Sequence, residues 1–168
     1  MSFNEKEYIA YFFNLKAMNS NHKNLFGEDK NFEVPQLYSQ DIVKHLLELD
    51  EYSGEDKKFD AEKDGKFYEI KATSSQSGTT TMNFGSKPNV LIWIRFDFDT
   101  DSFMIKQFHD LEKITRLDDF YTAEGMKKRK KDSKDPFKSQ ERMTIILNNV
   151  DWNESKSYQI SIAIKAID

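Results

Sequence analysis

The sequence contains no cysteine and no apolar stretch long enough to span a bilayer. The absence of cysteine excludes disulfides, thiolate metal sites and cysteine nucleophiles together, and it fits a reducing compartment. The first seven residues, MSFNEKE, do not form a basic segment followed by an apolar run, so we expect no signal peptide. These absences predict a cytoplasmic protein with no membrane association.

An excess of positive charge is also lacking, because 25 Lys and Arg stand against 29 Asp and Glu, for a formal net charge of -4. Nucleic-acid-binding domains are often basic, so this balance taken alone argues mildly against such a partner. Net charge hides its distribution, however, and a metal-dependent nuclease also needs clustered carboxylates. The 168 residues include 14 Phe and 7 Tyr, enough large side chains for one core. We therefore expect a single domain over residues 1–168.

Hydrophobic periodicity predicts helices and strands in an order typical of a mixed sheet. The expected elements are, in order, a helix at 4–18, a loop at 19–35, a helix at 36–51, strands at 57–63 and 66–74, a loop at 75–89, strands at 90–98 and 103–108, a helix at 109–121, and strands at 143–150 and 158–167. The strand at 90–98 is so apolar that we expect it to be central and covered on both faces. This order predicts an α/β (α+β) fold, in which helices flank a mixed central β-sheet.

The pair Asp64-Gly65 predicts a tight hairpin turn, because both turn positions need a positive φ. Counting outward from this turn places Asp60 opposite Glu69, with Lys71 two residues further along the same strand face. The opposite face is apolar and can be buried; it carries Phe59, Ala61, Tyr68, Ile70 and Ala72. The hairpin is therefore expected to gather two carboxylates and an ammonium group on one face.

Carboxylates at directly opposed positions have Cβ atoms roughly 5 Å apart and repel each other. A divalent cation between them removes the repulsion, and ligands that are all oxygen select a hard ion such as Mg²⁺. The ammonium group of Lys71 can reach a phosphate or the attacking water. Such a set suits phosphodiester hydrolysis, in which the metal lowers the pKa of a bound water and Lys71 stabilises developing charge.

Asp60, followed by Glu69-Ile70-Lys71 on the next strand, resembles the PD-(D/E)XK nuclease superfamily, and the small size is similar to that of a type II restriction endonuclease. The resemblance covers residues 36–98 and implies a restriction-endonuclease-like core. It implies that Asp60, Glu69 and the backbone carbonyl of Ile70 bind the metal, that Lys71 is the catalytic lysine, and that cleavage leaves 5′-phosphates. Phe59 stands where the pattern has proline.

Some branches of the superfamily add a glutamate from the helix that precedes the hairpin. Glu48 is the candidate here, but on a helical wheel it falls roughly opposite the apolar stripe of the helix at 36–51. We do not expect it to join the site.

Two further segments are candidates for contact with DNA. The polar segment after Lys71 supplies Ser74, Gln76 and Thr79, whose hydroxyl and amide groups can bond phosphates or base edges. The main basic cluster lies within a possible arm at 122–142 and consists of Lys127, Lys128, Arg129, Lys130 and Lys131. Lysine and arginine contacts to phosphates drive affinity through counterion release. The alternatives are a flexible polar connector for the first segment and a solvated charged surface for the second.

The sequence thus predicts a Mg²⁺-dependent endonuclease for double-stranded DNA, most simply a restriction enzyme. A symmetric cut in a palindromic site needs two active sites about a twofold axis, which predicts a homodimer. A Holliday-junction or repair nuclease of the same fold is the nearest alternative. A non-catalytic DNA-binding module and a protein–protein interaction domain with a solvated hairpin stay open as well.

Overall fold

The computed structural model describes residues 3–27, 32–56, 58–74, 79–82, 88–109, 111, 143–147 and 150–167. These residues form two helices and nine strands, which are α1 (Glu5–Phe26), α2 (Gln36–Leu47), β1 (Asp50–Glu51), β2 (Ala61–Lys63), β3 (Lys66–Thr73), β4 (Thr79–Met82), β5 (Val90–Asp97), β6 (Ser102–Phe108), β7 (Met143–Ile146), β8 (Glu154–Ile160) and β9 (Ile164–Ile167).

Seven of the strands form one mixed sheet in the order β1-β2-β3-β5-β6-β8-β9. Within this sheet β3 and β5 run parallel, and each of the other neighbouring pairs is antiparallel. β4 and β7 pair separately as a two-stranded antiparallel sheet. The fold is therefore α+β with a mixed sheet, as the order of predicted elements indicated.

Both helices pack against one face of the seven-stranded sheet. Helix α1 contributes Phe12 and Leu15 to the core, and α2 contributes Ile42 and Val43; all four are at most 1% exposed. Burial of each such side chain stabilises the fold by roughly 1.5–3 kcal/mol. The sheet supplies alternate residues of its strands to the same core, including Tyr68, Ile70, Ile92, Ile94, Phe103 and Tyr158.

β5 is the central strand, as its composition predicted. Every residue from Val90 to Ile94 is buried, so the strand is covered on both faces. The face away from the helices includes Trp93, whose ring centroid lies 5.7 Å from that of Trp152. A strand that is buried on both sides holds β3, its parallel neighbour, in a fixed position.

The bounds of both helices differ from the prediction. α1 continues to Phe26, so the loop expected at 19–35 is wrong for its first eight residues; Asn19, a polar residue, is buried and broke the apolar pattern. α2 ends at Leu47 rather than at 51. Glu48 adopts a left-handed φ of 54°, and the Leu49 amide donates to the Lys44 carbonyl, which closes the helix.

Several strands also differ from the prediction. The loop expected at 75–89 contains β4, and the single strand expected at 158–167 is the β8–β9 hairpin. Ile162 lies in the turn of that hairpin with 90% of its surface exposed. The alternation of apolar residues therefore continues through the turn, which is why the sequence predicted one unbroken strand. The strand expected at 57–63 begins only at Ala61, and the strand expected at 143–150 ends at Ile146. The helix expected at 109–121 and the arm at 122–142 lie almost wholly outside the described residues.

Neither helix in the described part of the chain combines the length and the hydropathy that a membrane span needs.

Candidate active site

The β2–β3 hairpin has the register that the Asp64-Gly65 turn predicts. Asp64 and Gly65 have φ values of 51° and 73°, so both occupy the left-handed region that this turn requires. Ala61 pairs with Tyr68, Glu62 with Phe67, and Lys63 with Lys66. The pairing confirms the predicted register from the turn to Ala61, and Asp60 is the residue just before these pairs.

Asp60 lies one residue before β2 and is held by three hydrogen bonds. Its backbone amide donates to the Tyr68 carbonyl at 2.9 Å. Its Oδ2 accepts the Ile70 amide at 2.7 Å, and its Oδ1 accepts Nε2 of Gln40, in α2, at 2.5 Å. The carboxylate therefore takes the place of a main-chain acceptor just before β2 begins, and it links Ile70 of β3 to Gln40 of α2.

One prediction about the faces of the hairpin is wrong. Ala61, Tyr68 and Ile70 are buried on the core face, as expected. Phe59, however, stacks on Phe67 with ring centroids 4.7 Å apart and planes inclined by 3°. Phe67 belongs to the face that carries Glu69. Because regular pairing stops at Ala61, the strict alternation of faces does not extend back to Phe59.

Glu69 and Lys71 project from the β3 face that lies away from the helices. Lys71 Nζ lies 2.5 Å from Glu69 Oε1, and the two side chains keep only 21% and 14% of their surface exposed. Charge-assisted pairs of this kind are stronger than those in open solvent. The pair places an ammonium group directly beside one carboxylate.

The carboxylates have perturbed acidities that reflect their shared environment. Burial raises the pKa of Asp60, although the Ile70 amide and the Lys71 and Lys44 ammonium groups oppose the rise. Burial also raises the pKa of Glu69, Lys71 opposes the rise, and the Asp60 carboxylate adds to it. Asp60, Glu69 and Lys71 thus lie within electrostatic range of one another.

Oxygen atoms of the kind that bind a hard divalent cation are present at this position. In the described ranges, no group of three or more His, Cys, Asp or Glu side chains is arranged to hold a metal. Two carboxylates are nevertheless present, and the N–H of Ile70 faces Asp60. Because the N–H and C=O of one strand residue point to the same side, the Ile70 carbonyl faces that edge too. Mg²⁺ keeps several waters and is often held by only one or two protein carboxylates.

Gln40 is a site residue that the sequence reasoning missed. It is 7% exposed, and it bonds directly to Asp60. Its spacing from Val43 and Leu47 places it on the apolar stripe of α2, where a polar side chain needs a buried partner. A polar residue on this apolar stripe was the feature of the sequence that could have identified Gln40 as a site residue. Glu48, as expected, stays away from the site: its side chain is 89% exposed and lies 3.8 Å from Lys63.

The candidates for DNA contact are only partly described. The Ser74 hydroxyl donates to the Phe32 carbonyl at 2.6 Å, which ties the end of β3 to the segment before α2. Thr79 begins β4, whose backbone pairs with β7. Gln76 and the basic cluster of Lys127, Lys128, Arg129, Lys130 and Lys131 lie outside the described residues. Contact of these residues with DNA stays a prediction.

Comparison of this chain with family models, with curated proteins and with solved structures finds no match.

Proposed function

We propose that this protein is a Mg²⁺-dependent endodeoxyribonuclease with a restriction-endonuclease-like core and a catalytic centre of Asp60, Glu69 and Lys71. The observation that supports it most directly is the convergence of three charged groups on one hairpin. Asp60 is fixed by Ile70 and Gln40, and Glu69 is paired with Lys71 at 2.5 Å. Only the Gln40 bond depends on an element outside the hairpin.

The protein groups have distinct roles in this centre. Asp60, Glu69 and the Ile70 carbonyl hold the metal, which when bound supplies an activated water and polarises the phosphoryl group. Lys71 places positive charge next to that position, where it orients the water and stabilises charge that develops on the phosphate. Gln40 keeps the Asp60 carboxylate in one orientation. Burial is the main cause of the raised pKa of both acids, and the Asp60 carboxylate adds to the rise at Glu69, so a bound cation would favour their charged forms.

The proposed substrate is double-stranded DNA, cut to leave 5′-phosphates in the manner of a type II restriction enzyme. A homodimer with two such centres would cut both strands of a palindromic site. The cytoplasm is the compartment in which this activity would meet DNA. A Holliday-junction or repair nuclease is the alternative within the same chemistry.

Incubation of the purified protein with phage DNA and Mg²⁺ tests the activity. We expect a defined fragment pattern from the wild type and intact DNA from Asp60→Ala and Lys71→Ala. Glu62→Gln is the matched control, because Glu62 lies in the same hairpin and bonds to Ser53 instead of the site. Normal cutting by either of the first two variants would show that the site is assigned wrongly. Binding of DNA without cleavage by any protein would favour a non-catalytic module.

A further inference from the structure

Three aromatic rings form a cluster beside the proposed centre. Phe59 and Phe67 stack in parallel, and the Tyr52 ring stands edge-on to both, with centroid distances of 5.1 Å and 5.6 Å. Each of the three side chains is partly exposed. We call this set the aromatic cluster.

The aromatic cluster is separate from the hydrophobic core. None of its members belongs to the core or to the partly buried residues packed on it. Phe67 lies on the sheet face away from both helices, the face that carries Glu69 and Lys71. Three large rings gathered in partial contact with solvent, outside the core, form a surface that is suited to binding a ligand.

The aromatic cluster adjoins the cleavage centre directly. Phe59 is the residue before Asp60, and Phe67 lies two residues before Glu69 on one strand face, a separation of about 6.6 Å. A nucleotide whose phosphate reached Asp60 and Glu69 would therefore bring a neighbouring base to the rings. Aromatic side chains bind unpaired bases by stacking, without regard to sequence, because every base has a π-face.

We propose that the aromatic cluster is a stacking platform for an unpaired base next to the scissile phosphate. This inference rests on the proposed nuclease function and narrows it towards the repair-nuclease alternative: the preferred substrate is DNA with an unpaired nucleotide at the cut, such as a fork, a flap or a gap. Bases inside an intact duplex are stacked on each other and do not offer a face to the protein. A continuous duplex must first be unpaired locally, so it is cut more slowly.

Cleavage of a forked duplex and of a continuous duplex of the same sequence tests this specificity. We expect the wild type to have the higher kcat/KM on the fork. Phe67→Leu keeps an apolar side chain but removes the stacking face, and it should lower kcat/KM on the fork about tenfold, equivalent to about 1.4 kcal/mol. Phe26→Leu is the matched control, because Phe26 is a 63% exposed ring on α1 and should have no effect.

An abasic nucleotide next to the scissile phosphate gives the decisive comparison. If the base stacks on the platform, its removal costs the wild type about the same factor as Phe67→Leu, and the two changes together cost no more than either alone. Independent, additive losses would overturn the proposal, and so would wild-type behaviour of Phe67→Leu on the fork.

A second variant guards against misfolding of Phe67→Leu. A Cβ at Gly54 would lie 2.1 Å from Tyr52 Oη, so Gly54→Ala must displace the Tyr52 ring without truncating any aromatic side chain. It should weaken cutting of the fork in the same direction. Unchanged cutting by both variants would overturn the proposal.

Binding without cleavage separates the two hypotheses. A single-stranded oligonucleotide with one 2-aminopurine is titrated in the absence of Mg²⁺, and quenching of its fluorescence reports stacking. Quenching by the wild type, lost in Phe67→Leu, supports the platform even if no DNA is ever cut. Cleavage of DNA with no quenching would leave the nuclease proposal standing and overturn the platform.

Discussion

Replacement of Gln40 by leucine is the most informative test of how the centre is held. Gln40 is 7% exposed, and its Nε2 donates to Asp60 Oδ1 at 2.5 Å. Leucine is close in volume and keeps the apolar packing of α2, but it has no donor. Asp60 would retain the Ile70 amide and lose its only side-chain donor among the described residues.

The expected magnitude follows from the type of bond that is lost. A hydrogen bond to a charged group contributes about 1.5–3 kcal/mol, and a buried acceptor left without its donor forfeits most of that. For a domain of this size, a change of 1 kcal/mol moves the Tm by about 2–4 °C, so we expect a decrease of roughly 3–12 °C. Loss of a group that orients a metal ligand typically lowers metal affinity or activity about 10–100-fold.

Thermal unfolding and a Mg²⁺ titration of the cleavage rate measure both effects. Ser39→Ala is the matched control: Ser39 is buried on the same helix, and its hydroxyl donates to the Gln36 carbonyl at 2.8 Å, away from the site. It should lose stability but keep the wild-type Mg²⁺ dependence. If Gln40→Leu keeps the wild-type Tm and Mg²⁺ dependence, the contact does not position Asp60 and the reasoning is wrong.

Three further changes have defined outcomes. Burial raises the pKa of Glu69, so the stability that this side chain contributes is present at acidic pH and is lost as the pH rises through the raised pKa. At neutral pH without metal, Glu69→Gln should therefore have a higher Tm than the wild type. Added Mg²⁺ or a lower pH should reduce this difference in Tm. Glu48→Ala should cut DNA at the wild-type rate, because that side chain is 89% exposed; slower cutting would place Glu48 in the catalytic centre. Gly65→Ala has open space around the new Cβ but keeps a φ of 73°, so denaturant unfolding should show a loss of about 1–2 kcal/mol from backbone strain alone, and an unchanged midpoint would contradict that.

The hairpin was predictable from sequence because its determinants are local. Asp64-Gly65 fixes the turn, and the turn fixes the register from Lys63–Lys66 to Ala61–Tyr68, with Asp60 as the next residue of the chain. The apolar run at Val90 likewise identified the central strand, since few other environments bury five consecutive residues.

What the sequence did not reveal depends on contacts between distant segments. β4 was not predicted, and it pairs with β7 more than 60 residues away, so it has no local partner that would mark it as a strand. The Gln40–Asp60 bond needs the packing of α2 on β3, which no spacing rule specifies. Phe59 left its expected face because β2 begins only at Ala61, and where a strand begins depends on the paths of its neighbours.

The order of strands in the large sheet limits how two copies could share one DNA site. β9 is an edge strand, four positions from β3. Two copies joined edge to edge through β9 would separate their centres by nine strand spacings, about 43 Å, which is about 13 base pairs along the duplex. A stagger of that length is far wider than a short palindrome. Edge-to-edge pairing through β9 therefore does not suit a dimer that cuts both strands within a few base pairs, whereas the β1 edge of the described sheet lies only two positions from β3.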